Sequence, residues 1–153
     1  MKWINKGHAF DELGLYMERT DIIYLYGCVP SAKPLIEQTE WVIGKAEDAE
    51  RTIEFVFVDR DTDKQGRKYL GKRVISPEQF YDEFAKHYGL VVMCIADTNS
   101  GEVWEQLEER GIHRRFHAYS VFEFHRYMSL FLYYRDKKIY LHLIDMFVHT
   151  NCN

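Results

Sequence analysis

Three short runs, residues 22–26, 53–58 and 90–96, are apolar almost without a break and rich in β-branched and aromatic residues. Continuous apolarity, rather than alternation, is what a strand buried on both faces shows, and such strands belong to parallel sheets covered by helices. The runs end at Gly27, Asp59 and Asp97. Small or acidic residues at those points mark carboxyl ends of strands, where open α/β sheets bind ligands.

Helical patterns separate the runs. Leu35, Ile36, Thr39, Val42, Ile43 and Ala46 recur at helical spacing. Ser76-Pro77-Glu78-Gln79 reads as a capping box with proline in the first turn, and Phe80, Phe84 and Tyr88 supply its apolar face. Asn99 with Glu102 gives a further start signal, and Gly111 ends that helix. Residues 8–19 predict a short leading helix, and residues 61–73 a polar loop. Val74 and Ile75 suggest a very short edge strand. Strand–helix alternation with right-handed crossovers predicts an α/β, Rossmann-like, three-layer αβα domain with a mostly parallel sheet.

The 153 residues suit one such core, and the expected domain spans residues 1–135. A net charge of −4 with scattered basic residues argues against nucleic-acid binding. No run of about 18 apolar residues is present, so no membrane span is expected. Three widely spaced cysteines and a mixed, polar opening of the chain fit a reducing, cytoplasmic setting. Residues 136–153 read as a turn and a strand that stop abruptly, as though leading into a further domain.

The first strand-to-helix turn is the place to look for phosphate binding. It reads Gly27-Cys28-Val29-Pro30-Ser31-Ala32. Only Gly27 and Ala32 suit the dinucleotide pattern; Val29 is bulky there and Pro30 lacks an N–H. Asp59 stands where a ribose-binding acid belongs, but 27 residues after Ala32 instead of about 20. Dinucleotide binding, another small polar ligand, and a turn that merely closes the fold all remain open, the last being favoured. Candidate ligand-binding residues at the strand tips are Gly27, Cys28, Ser31, Asp59, Asp61, Asp97 and Asn99.

Other chemistry is weaker. Cys28 before a helix invites a nucleophile reading, but no base lies near it in sequence. His113, His117, His125, His142 and His149 lack a convergent spacing for a metal. Asp59, Asp61 and Asp63 lack the glycine and glutamate of a calcium loop. Residues 119–134 hold Tyr119, Phe122, Phe124, Tyr127, Phe131, Tyr133 and Tyr134, more aromatics than one buried face takes. Part of that stretch is expected to contact another domain of the same protein or a second copy, making a homodimer.

Two resemblances arise from these segments. Trp3-Ile4-Asn5-Lys6-Gly7-His8, Ile23-Tyr24-Leu25-Tyr26-Gly27, Phe57-Val58-Asp59-Arg60-Asp61, Lys64-Gln65-Gly66 and Gly71-Lys72-Arg73-Val74-Ile75-Ser76-Pro77-Glu78 resemble the Rossmann-like, nucleotide-sugar-binding domains of sugar-modifying enzymes. Asp145-Met146-Phe147-Val148-His149-Thr150-Asn151-Cys152-Asn153 is similar to the strand that opens a radical SAM domain and leads into its CxxxCxxC cluster loop. This resemblance implies that Cys152 is the first ligand of a [4Fe–4S] cluster in a longer chain that uses S-adenosylmethionine. One thiolate does not make such a cluster, so no cofactor is expected in this chain alone. The implied role is non-catalytic: substrate or nucleotide-sugar recognition, or positioning of the downstream domain. The alternative is a protein–protein interaction or dimerisation module without a small ligand.

Overall fold

The computed structural model describes residues 16–17, 19–46, 52–95, 97–123 and 125–126, excluding the side chains of 42–46 and 97–99. The elements in order are β1 (Ile22–Tyr26), α1 (Ala32–Ala46), β2 (Glu54–Val58), β3 (Lys68–Tyr69), β4 (Lys72–Ile75), α2 (Pro77–Phe84), β5 (Gly89–Met93), α3 (Asp97–Glu109) and β6 (Arg115–His117). Residues 118–123 and 125–126 are helical as well.

The strands form one sheet in the order β3-β4-β2-β1-β5-β6. β1 lies at its centre, parallel to β2 with Ile22 opposite Glu54 and parallel to β5 with Ile22 opposite Gly89. β4 runs parallel to β2, and β6 parallel to β5. Among the described strands only the two-residue β3 is antiparallel, joined to β4 through Leu70 and Gly71, both at positive φ (50° and 75°). Two positive φ values in a two-residue loop twist the chain the way a hairpin requires. The chain is thus an α/β, Rossmann-like domain, and its mostly parallel sheet is sandwiched between helices as the strand patterning predicts.

Alternate residues of each strand feed the two faces. Ile23, Leu25, Phe55, Phe57, Leu90, Val92 and Phe116 pack under α1 and against Val121. Ile22, Tyr24, Tyr26, Val56, Val58, Val91 and Met93 pack under α2 and α3, through Phe80, Phe84, Val103 and Leu107. All five residues of β1 are buried, and burying a side chain of this kind contributes about 1.5–3 kcal/mol. The central strand is therefore where a polar substitution would cost most.

Caps fix where the helices start. Ser76 Oγ accepts from Gln79 N–H at 3.2 Å, and Gln79 Oε1 accepts from Ser76 N–H at 3.1 Å, with Pro77 in the first turn. α3 starts at Asp97, two residues before the expected Asn99. Its end is turned at Gly111 (φ 73°), whose N–H donates to Glu108 O at 2.9 Å. Thr39 on α1 bonds to His125 Nε2 at 2.6 Å, tying α1 to the 118–126 segment. Burial pushes His125 down to about 4, so its ring is neutral at ordinary pH.

Three details differ from expectation. Val74 and Ile75 belong to β4, which is not the edge, because β3 pairs outside it. β5 starts at Gly89 and ends at Met93, earlier than the apolar run. β6 carries no sequence signal, since only Phe116 in it is buried and apolar, and it forms because β5 offers it a free edge. On β6, His117 stacks on Trp104 of α3 at 4.3 Å, and Arg115 Cζ lies 4.5 Å from the same ring. Among the described residues no helix is long and apolar enough to cross a membrane. The boundary at 135, the strand expected within residues 136–153, the leading part of the 8–19 helix and most of the 119–134 aromatic stretch fall outside the described residues.

Candidate functional site at the strand tips

The parallel order brings Gly27, Asp59 and the residues after β5 to one rim. Gly27 takes φ 110°, a conformation side chains disfavour, and a Cβ there would meet Ile95 Cγ2. Its N–H donates to Val58 O at 2.8 Å, so the turn leaves β1 pressed against β2. Glycine serves here to let the chain pass close to Ile95.

Asp59 organises the rim. Its Oδ2 accepts from Cys28 N–H at 3.0 Å, and its Oδ1 accepts from Asp61 N–H at 2.9 Å. The Gln65 side-chain amide donates to Asp59 O at 2.8 Å, and Lys64 Nζ stands 3.7 Å from Oδ2. Burial pushes the Asp59 carboxyl up, but the N–H groups of Cys28 and Asp61, with Lys64, outweigh it and hold the group below the usual carboxylate range. Both oxygens thus already bind the chain's own backbone, whereas a ribose-binding acid must face outward.

Cys28 is buried, and burial together with the Asp59 charge pushes its thiol up to about 12. A nucleophile needs the thiolate, so this geometry opposes that reading. Cys94 is pushed up to about 12 by burial alone.

The remaining candidates separate. Ser31 is exposed in the turn, where Ala32 N–H donates to Val29 O at 3.1 Å. Asp61 shapes its own loop: its Oδ1 accepts from Asp63 N–H at 2.9 Å. Asp97 and Asn99 lie in the first turn of α3, their side chains outside the described residues, as is Cys152. Among the described residues no three His, Cys, Asp or Glu side chains gather as a metal site would require.

What gathers instead is a pocket of about 240 Å³ lined by Tyr26, Gly27, Val58, Asp59, Arg60 and Ile95. It shares Tyr26 and Arg60 with a cleft of about 530 Å³ between α2 and α3. Arg60, Tyr81 and Arg110 in these walls escape sequence reasoning. The polar stretch after Asp59 held the one signal for Arg60, and nothing in the sequence joins it to residue 110. A larger cavity of about 630 Å³, lined by Trp41, Phe122 and their neighbours, lies away from the strand tips between α1 and the 118–126 segment. Chemistry rather than size points to the rim, where polar side chains, the Gly27 turn and strand ends converge.

No family matches the sequence, and no curated protein does. A solved structure, RSP in complex with beta-NADH, is similar in fold, with a TM-score of 0.50 at 16% identity over 71% of this chain. The match covers 49% of that protein, so the chain spans about half its length. At that identity the likeness bears on the fold, which it supports as Rossmann-like.

Proposed function

We propose that this chain is a non-catalytic recognition domain that holds a small polar ligand at the strand-tip rim and serves a downstream radical SAM domain. The observation that carries the ligand reading is the pocket around Gly27, built at the carboxyl ends of β1, β2 and β5. Crevices at this position are where open parallel sheets bind small molecules. The ordinary dinucleotide pose is disfavoured, because Asp59 is engaged by Cys28 and Asp61 and Pro30 offers no N–H. A nucleotide sugar, implied by the resemblance of residues 57–78, is the ligand class to test first. NADH, bound by the structural neighbour, is the comparison ligand.

Titration of labelled protein with a nucleotide sugar and with NADH, followed by NMR, tests this. Saturable shifts at Gly27, Asp59, Arg60 and Ile95 are expected with the former. A flat response at all four to every nucleotide sugar tried ends the reading. The fusion rests on residues 145–153 alone. Cys152 would supply the first of three thiolates for a [4Fe–4S] cluster, whose role when bound is to deliver an electron to S-adenosylmethionine. Two further cysteines at the CxxxCxxC spacing in the gene beyond Asn153 are expected; their absence removes the fusion.

A second reading has its own observation. Tyr119 is 74% exposed and Trp41 46% exposed, and Trp41 lines the 630 Å³ cavity together with Phe122. Such aromatics suit contact with the downstream domain or a second copy. Light scattering of wild type and of Trp41→Ser with Tyr119→Ser separates the cases. A dimer lost on substitution supports this reading, and a concentration-independent monomer removes the homodimer.

A further inference from the structure

We infer that the cleft between α2 and α3 is a second subsite, for a small hydroxylated anion, with Arg60 and Arg110 holding its charged group. The inference rests on the recognition reading above and names the ligand chemistry of the neighbouring space. Two helices packed on one sheet face normally close on each other with apolar side chains. Here they leave about 530 Å³ lined by Arg60, Glu78, Tyr81, Gln106, Glu109 and Arg110. The space meets the strand-tip pocket at Tyr26 and Arg60, so one molecule can reach both.

The Arg110 guanidinium is held in place before any ligand arrives, and that of Arg60 is only weakly engaged. Arg110 Cζ lies 3.7 Å from the Tyr81 ring centroid, a cation–π contact that fixes the guanidinium against the cleft wall. Its backbone is fixed where α3 ends, its N–H donating to Gln106 O at 3.2 Å. Arg60 lines the cleft together with Tyr26, whose hydroxyl helps to keep the guanidinium charged. Its ion pair with Glu102 is long, 3.8 Å, and both side chains are about half exposed or more, so an incoming anion displaces it at little cost. Donors already ordered lose less entropy when a ligand binds.

The carboxylates decide the rest of the ligand. Glu78 and Glu109 line the same cleft and would repel a dense polyanion. They accept hydrogen bonds from hydroxyl groups. One anionic group on a body rich in hydroxyls, the chemistry of a monosaccharide phosphate or a sugar acid, satisfies both sets.

The test follows the arginine side-chain Nε–Hε signals of the whole chain during titration with glucose 6-phosphate, glucose and inorganic phosphate. Saturable shifts of Arg60 and Arg110 are expected, with the sugar phosphate binding about tenfold tighter than either part. Arg110→Gln should weaken it about tenfold, Arg110→Lys several-fold because the planar stack is lost, and Arg67→Gln in the neighbouring loop not at all. Silent Arg60 and Arg110 signals, or wild-type affinity in both Arg110 variants, would overturn the subsite. Glucose 6-phosphate leaves the strand-tip reading independent: nucleotide-sugar shifts at Gly27 and Ile95 with silent arginines would keep that reading and remove this one.

Discussion

Two carboxylates on the same side of the sheet order are both held ionised, yet by different partners. Asp59, with 15% of its side chain exposed, is held by backbone N–H groups of Cys28 and Asp61. Glu83 on α2 is held by the fork of Arg73, at 2.6 and 2.8 Å, and by the Tyr24 hydroxyl at 3.2 Å. Hydrogen bonding to Arg73 keeps the Glu83 carboxyl below its usual range in spite of burial. The difference lies in what each removal would strand. Arg73 can turn to water and still reach Glu54 at 3.1 Å. The N–H groups of Cys28 and Asp61 belong to the main chain and cannot leave. Asp59 therefore shapes the rim, whereas Glu83 fastens a helix to the sheet.

That contrast is open to attack in several ways. The largest expected effect is that of Asp59→Ala, a loss of about 3 kcal/mol, since two charge-assisted bonds go together. Glu83→Ala should cost less, about 2 kcal/mol, because the partly solvated Arg73 turns to water while the buried Tyr24 hydroxyl loses its acceptor. Urea unfolding of both variants measures this, and equal or reversed losses would dissolve the distinction. Acid sharpens it next. Both carboxyls lie below their unfolded values, so their contribution is full above about pH 4.5 and disappears as pH falls through the folded values. Asp59→Asn and Glu83→Gln should each flatten the fall in stability below that pH. A slope unchanged in both would show that other groups carry it.

Salt gives a smaller effect. At about 1 M the Glu83→Ala penalty should shrink by roughly half, while that of Asp59→Ala holds, because screening reaches exposed ion pairs more than hydrogen bonds to shielded N–H groups. Parallel shrinkage of the two would count against the comparison. The smallest concerns the thiol. Cys28 should alkylate slowly at pH 8, and Asp59→Asn should speed it several-fold by removing a negative neighbour. Cys94, raised by burial alone, is the internal reference and should not respond.

The readable parts of the fold were those in which neighbouring residues alone decide structure. Residues 22–26 are apolar throughout, so nothing but a strand covered on both faces suits them. Ser76 and Gln79 cap a helix through contacts three residues apart. Arg115-Phe116-His117 gave no such sign, because its strand exists only as an addition to β5. At the rim, Gly27 and Asp59 were recognisable from their places at run ends. The role of Asp59 was not, because its partner Cys28 is 31 residues away and contributes only a main-chain N–H. Arg60, Tyr81 and Arg110 converge through the packing of α2 and α3 on one face, a long-range outcome that no local pattern encodes.

The placement of β1 has a consequence for synthesis. The ribosome releases this strand before its two flanking partners, which are complete only at Val58 and Met93. At about 5–20 residues per second, the 67 residues from Tyr26 to Met93 take roughly 3–13 s to follow. Until Val58 emerges both hydrogen-bonding edges of these five apolar residues are unclaimed, and until Met93 emerges one of them still is. A chaperone that shelters extended hydrophobic segments would find its best purchase here, and would be released as residues 89–93 complete the pairing.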